Sequence, residues 1–256
     1  MSKRVVDAEI IQVKHLNNKY FTLAIKPLEK LEKIEVGQFL QLTVPNAHDV
    51  FLRRPISIHD VDYETNTITL LIQIVGKGTQ KLSLLAKGGL VNVIYPLGKG
   101  YSIISKGQKA LLVGGGCGIA PLLYLAKELN RAGVEQQIII GFRTKEDVIE
   151  YEQYNEIAPT FVTTEDGSMG ERGFVTSHPL FKELNVFDKI YTCGPEVMMK
   201  AIAKRAKEAN VDCEVSLENT MACGIGACLC CVTPTVHGHQ CVCTEGPVFN
   251  SKELLW

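Results

Sequence analysis

Lys109-Ala-Leu-Leu-Val-Gly-Gly-Gly-Cys-Gly-Ile-Ala-Pro121 marks the point where the chain changes grammar. Lys109–Val113 is a short apolar run that reads as a buried strand. Gly114–Gly118 reads as a tight turn, because glycines adopt backbone conformations that other residues resist. Pro121 suits the first turn of a helix, where its missing N–H costs nothing. Leu122, Leu125, Ala126 and Leu129 then recur at helical spacing up to Arg131, and Gly133 is the stop. A strand, a glycine turn and a helix start gather free N–H groups and the positive end of the helix dipole at one point, which suits a pyrophosphate. Gly114, Gly115, Gly116, Gly118 and Pro121 are therefore candidate nucleotide contacts. The Gly-x-Gly-x-x-Gly fingerprint is incomplete, since Ile119 stands at its last position, and an ordinary strand–helix turn would look the same.

Downstream the alternation continues. Gln137–Gly141, Phe161–Thr164 and Lys189–Cys193 read as strands and Glu196–Asn210 as an amphipathic helix, which implies a parallel sheet covered by helices. Cys193-Gly-Pro195 follows one of these strands and opens a helix, the place where ligands of such sheets collect. Cys193, Gly194 and Pro195 join the candidate contacts, with a plain strand–helix turn as the alternative. The choice between NAD and NADP stays open: no acidic residue ends the Ile138–Gly141 strand to hold a ribose hydroxyl, and Arg143 would suit a 2′-phosphate.

Upstream the pattern is that of an antiparallel barrel. Val5–Lys14, Tyr20–Ile25, Gln38–Val44, Ile56–Asp60, Thr67–Val75 and Leu90–Ile94 are short segments rich in Val, Ile, Thr and Phe between turn residues. A helical interlude is expected over Gly78–Ala86, capped by Thr79, and Tyr95–Tyr101 is expected to be a linker. Within the barrel, Phe51-Leu-Arg-Arg-Pro-Ile-Ser57 stands out. Arg54 beside the rigid Pro55 offers a planar fork for a phosphate, although by composition alone a basic strand end is the plainer reading.

The C-terminal segment carries six of the nine cysteines, between Cys223 and Cys243. Cys223-x4-Cys228-x2-Cys231 is a spacing that wraps a binuclear iron–sulfur cluster, with a fourth thiolate from further on. Gly224 and Gly226 free the loop backbone to aim N–H groups at anionic sulfides. Cys230, Cys241 and Cys243 compete for the fourth place. Cys230 adjoins Cys231, so the two cannot easily face one iron site; Cys241 and Cys243 share a face if the segment is extended. A zinc site and a set of buried thiols are the plainer alternatives. His237 and His239 make zinc conceivable, but structural zinc ligands come as two short clips.

Bulk properties bound the rest. The chain has 256 residues, is 46% hydrophobic and 21% charged, and carries a formal net charge of −1. That gives room for two medium domains and a small appendage, and no general nucleic-acid footprint. No apolar run has the length of a membrane span, and Met1-Ser-Lys-Arg-Val5 lacks a signal peptide's apolar core, so a reducing, cytoplasmic setting and metal-ligating cysteines are expected.

Taken in order, Arg54-Pro-Ile-Ser57, Gly76-Lys-Gly-Thr79, the Gly114 turn and Cys193-Gly-Pro195 resemble the ferredoxin–NADP reductase superfamily. Met221-Ala-Cys-Gly-Ile-Gly-Ala-Cys228 and Cys243-Thr-Glu-Gly-Pro-Val-Phe249 narrow this: the whole chain resembles the electron-transfer subunits of class B, NAD-dependent dihydroorotate dehydrogenase. The resemblance implies an FAD-binding barrel over 1–102, an NAD-binding α/β domain over 103–211 and a [2Fe-2S] subdomain over 212–256. It implies FAD contacts at Arg54, Pro55, Ile56, Ser57, Leu71, Ile72, Gln73, Gly78 and Thr79, and Cys243 as the fourth ligand beside Cys223, Cys228 and Cys231. It also implies a partner, an FMN-bearing catalytic subunit that oxidises dihydroorotate to orotate in pyrimidine synthesis, joined in a heterotetramer of two of each. Electrons would run from the partner's flavin to the cluster, to FAD and to NAD+, with no general acid or base needed here. A flavin–iron–sulfur subunit of another NAD(P)H-dependent ferredoxin, sulfur or hydrogenase complex has the same parts, and a zinc-stabilised binding module is the alternative of another class. Met221, Leu229, Val232, Pro247, Val248 and Phe249 flank the thiols and are expected to form either a docking surface or a local core.

Overall fold

Alternating burial in the first strand sets the first layer: Val6, Ala8 and Ile10 point into a core while Val5 points out. This strand, β1 (Arg4–His15), joins β2 (Tyr20–Pro27), β3 (Phe39–Leu42), β4 (Arg54–Asp62), β5 (Thr67–Gln73) and β6 (Leu90–Leu97) in a closed antiparallel barrel of order β1-β2-β5-β4-β3-β6. The structure is a computed structural model and describes residues 3–256. The expected helical interlude is shorter, α1 (Lys77–Leu82), and Thr79 lies inside it rather than before it. Its hydroxyl still holds the helix entry, accepting from the N–H groups of Val75 and Gly76 at 2.9 and 3.2 Å. The expected linker at Tyr95 begins instead as strand. Phe39 pairs with Leu97 across a register shift at Tyr95-Pro96, a place where proline's missing donor does no harm.

The second layer is a seven-stranded sheet of order β10-β9-β8-β7-β11-β12-β15. Its strands are β7 (Lys109–Gly115), β8 (Glu135–Phe142), β9 (Thr160–Thr164), β10 (Glu171–Arg172), β11 (Lys189–Cys193), β12 (Asp212–Ser216) and β15 (Val248–Asn250). All pair in parallel except β15, which runs antiparallel beside β12. α2 (Leu122–Arg131), α3 (Tyr151–Ile157) and α4 (Glu196–Glu208) cover the sheet. The short hairpin β13 (Val232–Thr235) and β14 (Gly238–Cys241) completes the chain. The cysteine segment is thus an excursion from the sheet: it leaves after Ser216 and returns at Val248, its register partner. Among the described residues no helix is long and apolar enough to cross a membrane.

Candidate functional site

Strands β7 and β11 lie side by side with Gly114 opposite Cys193, so the two glycine turns that follow them meet. A Cβ on Gly118 would lie 2.4 Å from both the Cys193 carbonyl oxygen and the Gly194 Cα. One on Gly115 would lie 2.5 Å from the Met198 sulfur. These glycines are required by protein packing, turn against turn. Gly116 is different: its φ is +54° and the space beside it is open, with the Tyr20 hydroxyl 3.8 Å from where a Cβ would be. Its backbone borders open space rather than a packed neighbour.

That open space is a cavity of about 830 Å³ between barrel and sheet. Of the sequence-predicted contacts, Gln73, Gly115, Gly116, Gly118, Gly194 and Pro195 line it; Gly114 and Pro121 do not. Cys193 is fully buried and does not line the cavity, but its sulfur lies 3.8 Å from a carboxylate oxygen of Glu218, which does. Burial pushes the Cys193 thiol well up, and burial likewise raises the Glu218 carboxyl, so this end of the cavity favours uncharged groups. Thr163 Oγ1, buried and without a partner, also reaches the cavity, an orphan that a ligand hydroxyl would satisfy. Sequence reasoning missed Tyr20, Glu165 and Glu218. The acid sought at the end of β8 stands at the end of the next strand: Glu165 follows β9 and lines the cavity near Arg143. Burial pushes the Tyr20 hydroxyl up to about 12, so it stays protonated there.

The proposed flavin strip lies along β4 and β5. Arg54, Pro55, Ile56 and Ser57 are half-buried, Leu71 and Ile72 buried, and Gln73 reaches the cavity rim. Gly78 lets the start of α1 close on Arg54, since a Cβ there would lie 3.2 Å from the Arg54 side chain. The Arg54 guanidinium donates to the Leu52 carbonyl at 2.8 and 3.3 Å and has no ion-pair partner among the described residues, which leaves a planar cation free for a phosphate. This donor set fits the diphosphate of FAD. Arg54→Ala is expected to lower FAD retention on dialysis at least tenfold, read as flavin absorbance per chain; full occupancy contradicts the phosphate role.

The thiols form two neighbouring pairs. The Cys228 N–H donates to the Cys223 sulfur at 3.4 Å, as does the Ile225 N–H at 3.5 Å. These backbone donors, with the Cys228 thiol beside them, hold the Cys223 thiol down at about 6. The Cys243 N–H donates to the Cys231 sulfur at 3.4 Å, and both residues are buried. Burial and the adjacent Cys231 push Cys243 up to about 12. Two pairs suit a cluster of two irons. Among the described residues no set of three His, Cys, Asp or Glu side chains is arranged to hold a single metal ion, and His237 and His239 are exposed on the hairpin. Cys241 and Cys243 do not share the face that an extended segment would give them: the N–H groups of Thr244 and Glu245 both close on the Cys241 carbonyl, and Cys243 is buried. Cys230 points away, its thiol 3.6 Å from the Thr220 carbonyl.

The cysteine loop rests on the barrel. Gln41 donates to the Ala222 carbonyl at 3.3 Å, and Gly224 packs on the same side chain, where a Cβ would lie 2.5 Å from Nε2. Gln41 is also the register partner of Pro55 in the flavin strip. The strand that the loop rests on is thus the neighbour of that strip, about 5 Å from it backbone to backbone. Of the apolar residues flanking the thiols, Met221, Pro247, Val248 and Phe249 are buried and Val232 half-buried; Met221 and Phe249 extend the core of the sheet, and only Leu229 is exposed.

Residues 218–255 match the family described as iron-sulfur cluster binding domain of dihydroorotate dehydrogenase B, and residues 112–204 match the oxidoreductase NAD-binding domain. The protein from Fusobacterium nucleatum subsp. nucleatum called dihydroorotate dehydrogenase B (NAD(+)), electron transfer subunit, is 42% identical, covering 85% of this chain and 86% of its own. Its namesake from Bacillus cereus (strain Q1) is 38% identical over 96% of each chain. Among solved structures, NADH-dependent reduced ferredoxin-NADP oxidoreductase, studied for flavin-based electron bifurcation, superposes with a TM-score of 0.87 at 31% identity, covering 97% of this chain and 90% of that one. An Amycolatopsis cytochrome P450 reductase shares the fold at a TM-score of 0.70 and 23% identity, covering 81% and 66%. With relatives this similar along almost its whole length, the chain belongs to the family of electron transfer subunits of dihydroorotate dehydrogenase B (NAD(+)).

Proposed function

We propose that this chain passes electrons from a catalytic partner subunit, which oxidises dihydroorotate to orotate, to NAD+. The partner carries FMN and the complex is a heterotetramer of two subunits of each kind. Bound FAD and a [2Fe-2S] cluster supply the redox chemistry, the flavin trading electron pairs with NAD(H) and single electrons with the cluster. The protein supplies placement. Cys223, Cys228, Cys231 and Cys243 hold the cluster in segment 212–256, Arg54–Ser57, Leu71–Gln73, Gly78 and Thr79 hold FAD in 1–102, and the glycine turns hold NAD(H) in 103–211. The observation that carries this reading is the contact of the cysteine loop with Gln41 opposite Pro55, while Gln73, at the other side of the strip, opens on the nucleotide cavity. Cluster, flavin and nicotinamide sites then follow one another without a gap.

Within the cavity, Gly116 offers its backbone to the pyrophosphate, while Glu218, whose carboxyl is raised by burial, lines the nicotinamide end with the buried Cys193 thiol 3.8 Å from it. Glu165 suits a ribose 2′-hydroxyl and repels a 2′-phosphate, in keeping with NAD as acceptor. The test is co-purification of the chain with its partner from its own cells, followed by assay. The complex is expected to reduce NAD+ with dihydroorotate, forming orotate and NADH in equal amounts, and to lose this reaction when the chain is stripped away. A second reading follows from the 31% identity to the ferredoxin-NADP oxidoreductase chain. Turnover with ferredoxin and NADPH, and none with dihydroorotate, would establish that reading instead.

A further inference from the structure

His59 takes no part in any of these sites, yet it is among the most enclosed polar residues of the protein, 1% exposed. It lies on β4, two residues beyond Ser57, where the ladder slips: Ile58 pairs with Leu70 and Asp60 with Thr69, so His59 is the unpaired residue of a bulge. Bulges re-aim side chains, and this one turns the imidazole out of the barrel towards the nucleotide domain. Nδ1 lies 2.8 Å from the Ala120 carbonyl oxygen and Nε2 lies 2.5 Å from Glu150 Oε2. A carbonyl only accepts, so Nδ1 is the donor to Ala120, which turns Nε2 towards the Glu150 carboxylate. The imidazole is thereby fixed at both ends. The preceding carbonyl, Ile119, receives the Tyr154 hydroxyl at 2.6 Å, also from a buried side chain. The two residues that close the glycine turn are thus both clamped from outside their own helix.

A buried His–Glu pair is weak evidence for stability, because desolvation offsets most of its attraction. What it specifies is geometry. Strand β4 carries the flavin strip at its start and the clamp on the nucleotide turn five residues on, so a single short strand sets the distance between the two cofactor-binding elements. We infer that His59, held by Glu150, is a positioning residue for hydride exchange: it fixes the Gly114–Ala120 turn to the flavin strand so that nicotinamide meets flavin at reacting distance. The inference rests on the NAD and FAD reading given above.

The test uses the complete protein loaded with FAD and cluster. In His59→Leu, anaerobic reduction of the flavin at saturating NADH is expected to slow by about 10- to 100-fold, the cost of an ångström-scale misplacement. FAD per chain stays at the wild-type level, since Arg54–Ser57 are untouched. Amide hydrogen exchange over residues 114–121 speeds up, a readout that needs no turnover. His59→Asn, whose amide nitrogen takes the place of Nδ1 and donates to Ala120, restores part of the rate; the rest is the share of Glu150, which asparagine does not reach. Where His59→Leu does not accumulate folded, Glu150→Asn carries the same test: asparagine tolerates the left-handed backbone at that position, φ +56°, but is too short to reach the imidazole. A folded, FAD-loaded variant with wild-type reduction rate and wild-type exchange overturns the inference, as does His59→Asn remaining as slow as His59→Leu. A wild-type protein that NADH does not reduce defeats the function reading itself, which keeps the two failures distinct.

Discussion

Cys228→Ser is expected to give a folded flavoprotein with no cluster. Cys228 is exposed, so exchanging its sulfur for oxygen leaves the core intact, and surface changes of this kind move stability by no more than about 0.5 kcal/mol. Its thiol is one half of the Cys223/Cys228 pair, and on the proposed ligation its loss leaves one iron with a single protein thiolate. Visible absorption of anaerobically purified protein should therefore show flavin alone, with iron near zero. NADH oxidation with an artificial dye should stay within about twofold of wild type, because the nucleotide cavity and flavin strip lie on the far side of Gln41 and do not involve the thiols; coupled turnover with the partner should vanish. Loss of dye activity in a folded variant would contradict the order in which the sites are strung.

Gly118→Ala is expected to damage the opposite end of the path. The added methyl would meet two backbone atoms at 2.4 Å, and neither is the tip of a side chain that can swing away. One of the two glycine turns has to move. Overpacking of this kind costs on the order of 1–3 kcal/mol. The apparent KM for NADH should rise at least tenfold while FAD content is kept. Gly116→Ala is the contrast for folding: no protein atom crowds the methyl, so the stability cost is the left-handed backbone, about 1–2 kcal/mol, while the methyl enters the space assigned to the pyrophosphate. Unchanged NADH kinetics in Gly118→Ala would show that the turns do not need their mutual contact.

The barrel strands were legible in the sequence because their apolar residues alternate between turn residues, and the strand–glycine–helix units because glycine and proline punctuate them. The thiol spacing was legible because a cluster demands it within one loop. What escaped was set by tertiary pairing. Cys193 and Glu218 are 25 positions apart and meet only because β12 lies beside β11. Glu165 is at the site because β9 follows β8 in the sheet. β12, Asp212-Cys-Glu-Val-Ser216, looks like part of the cysteine segment until Val248–Asn250 returns to pair with it. α3 is too short for a helical period to stand out, and Glu150 before it is left-handed without being glycine. Met221 and Phe249 proved to be core because that same return of the chain packs them against the sheet.

Iron and acid-labile sulfide, assayed per chain on protein purified without oxygen, test the central claim most directly. Two of each, together with one FAD, is the result that a relay from single electrons to hydride requires. A stable, folded protein that contains neither iron nor sulfide, or that holds zinc in their place, would contradict it.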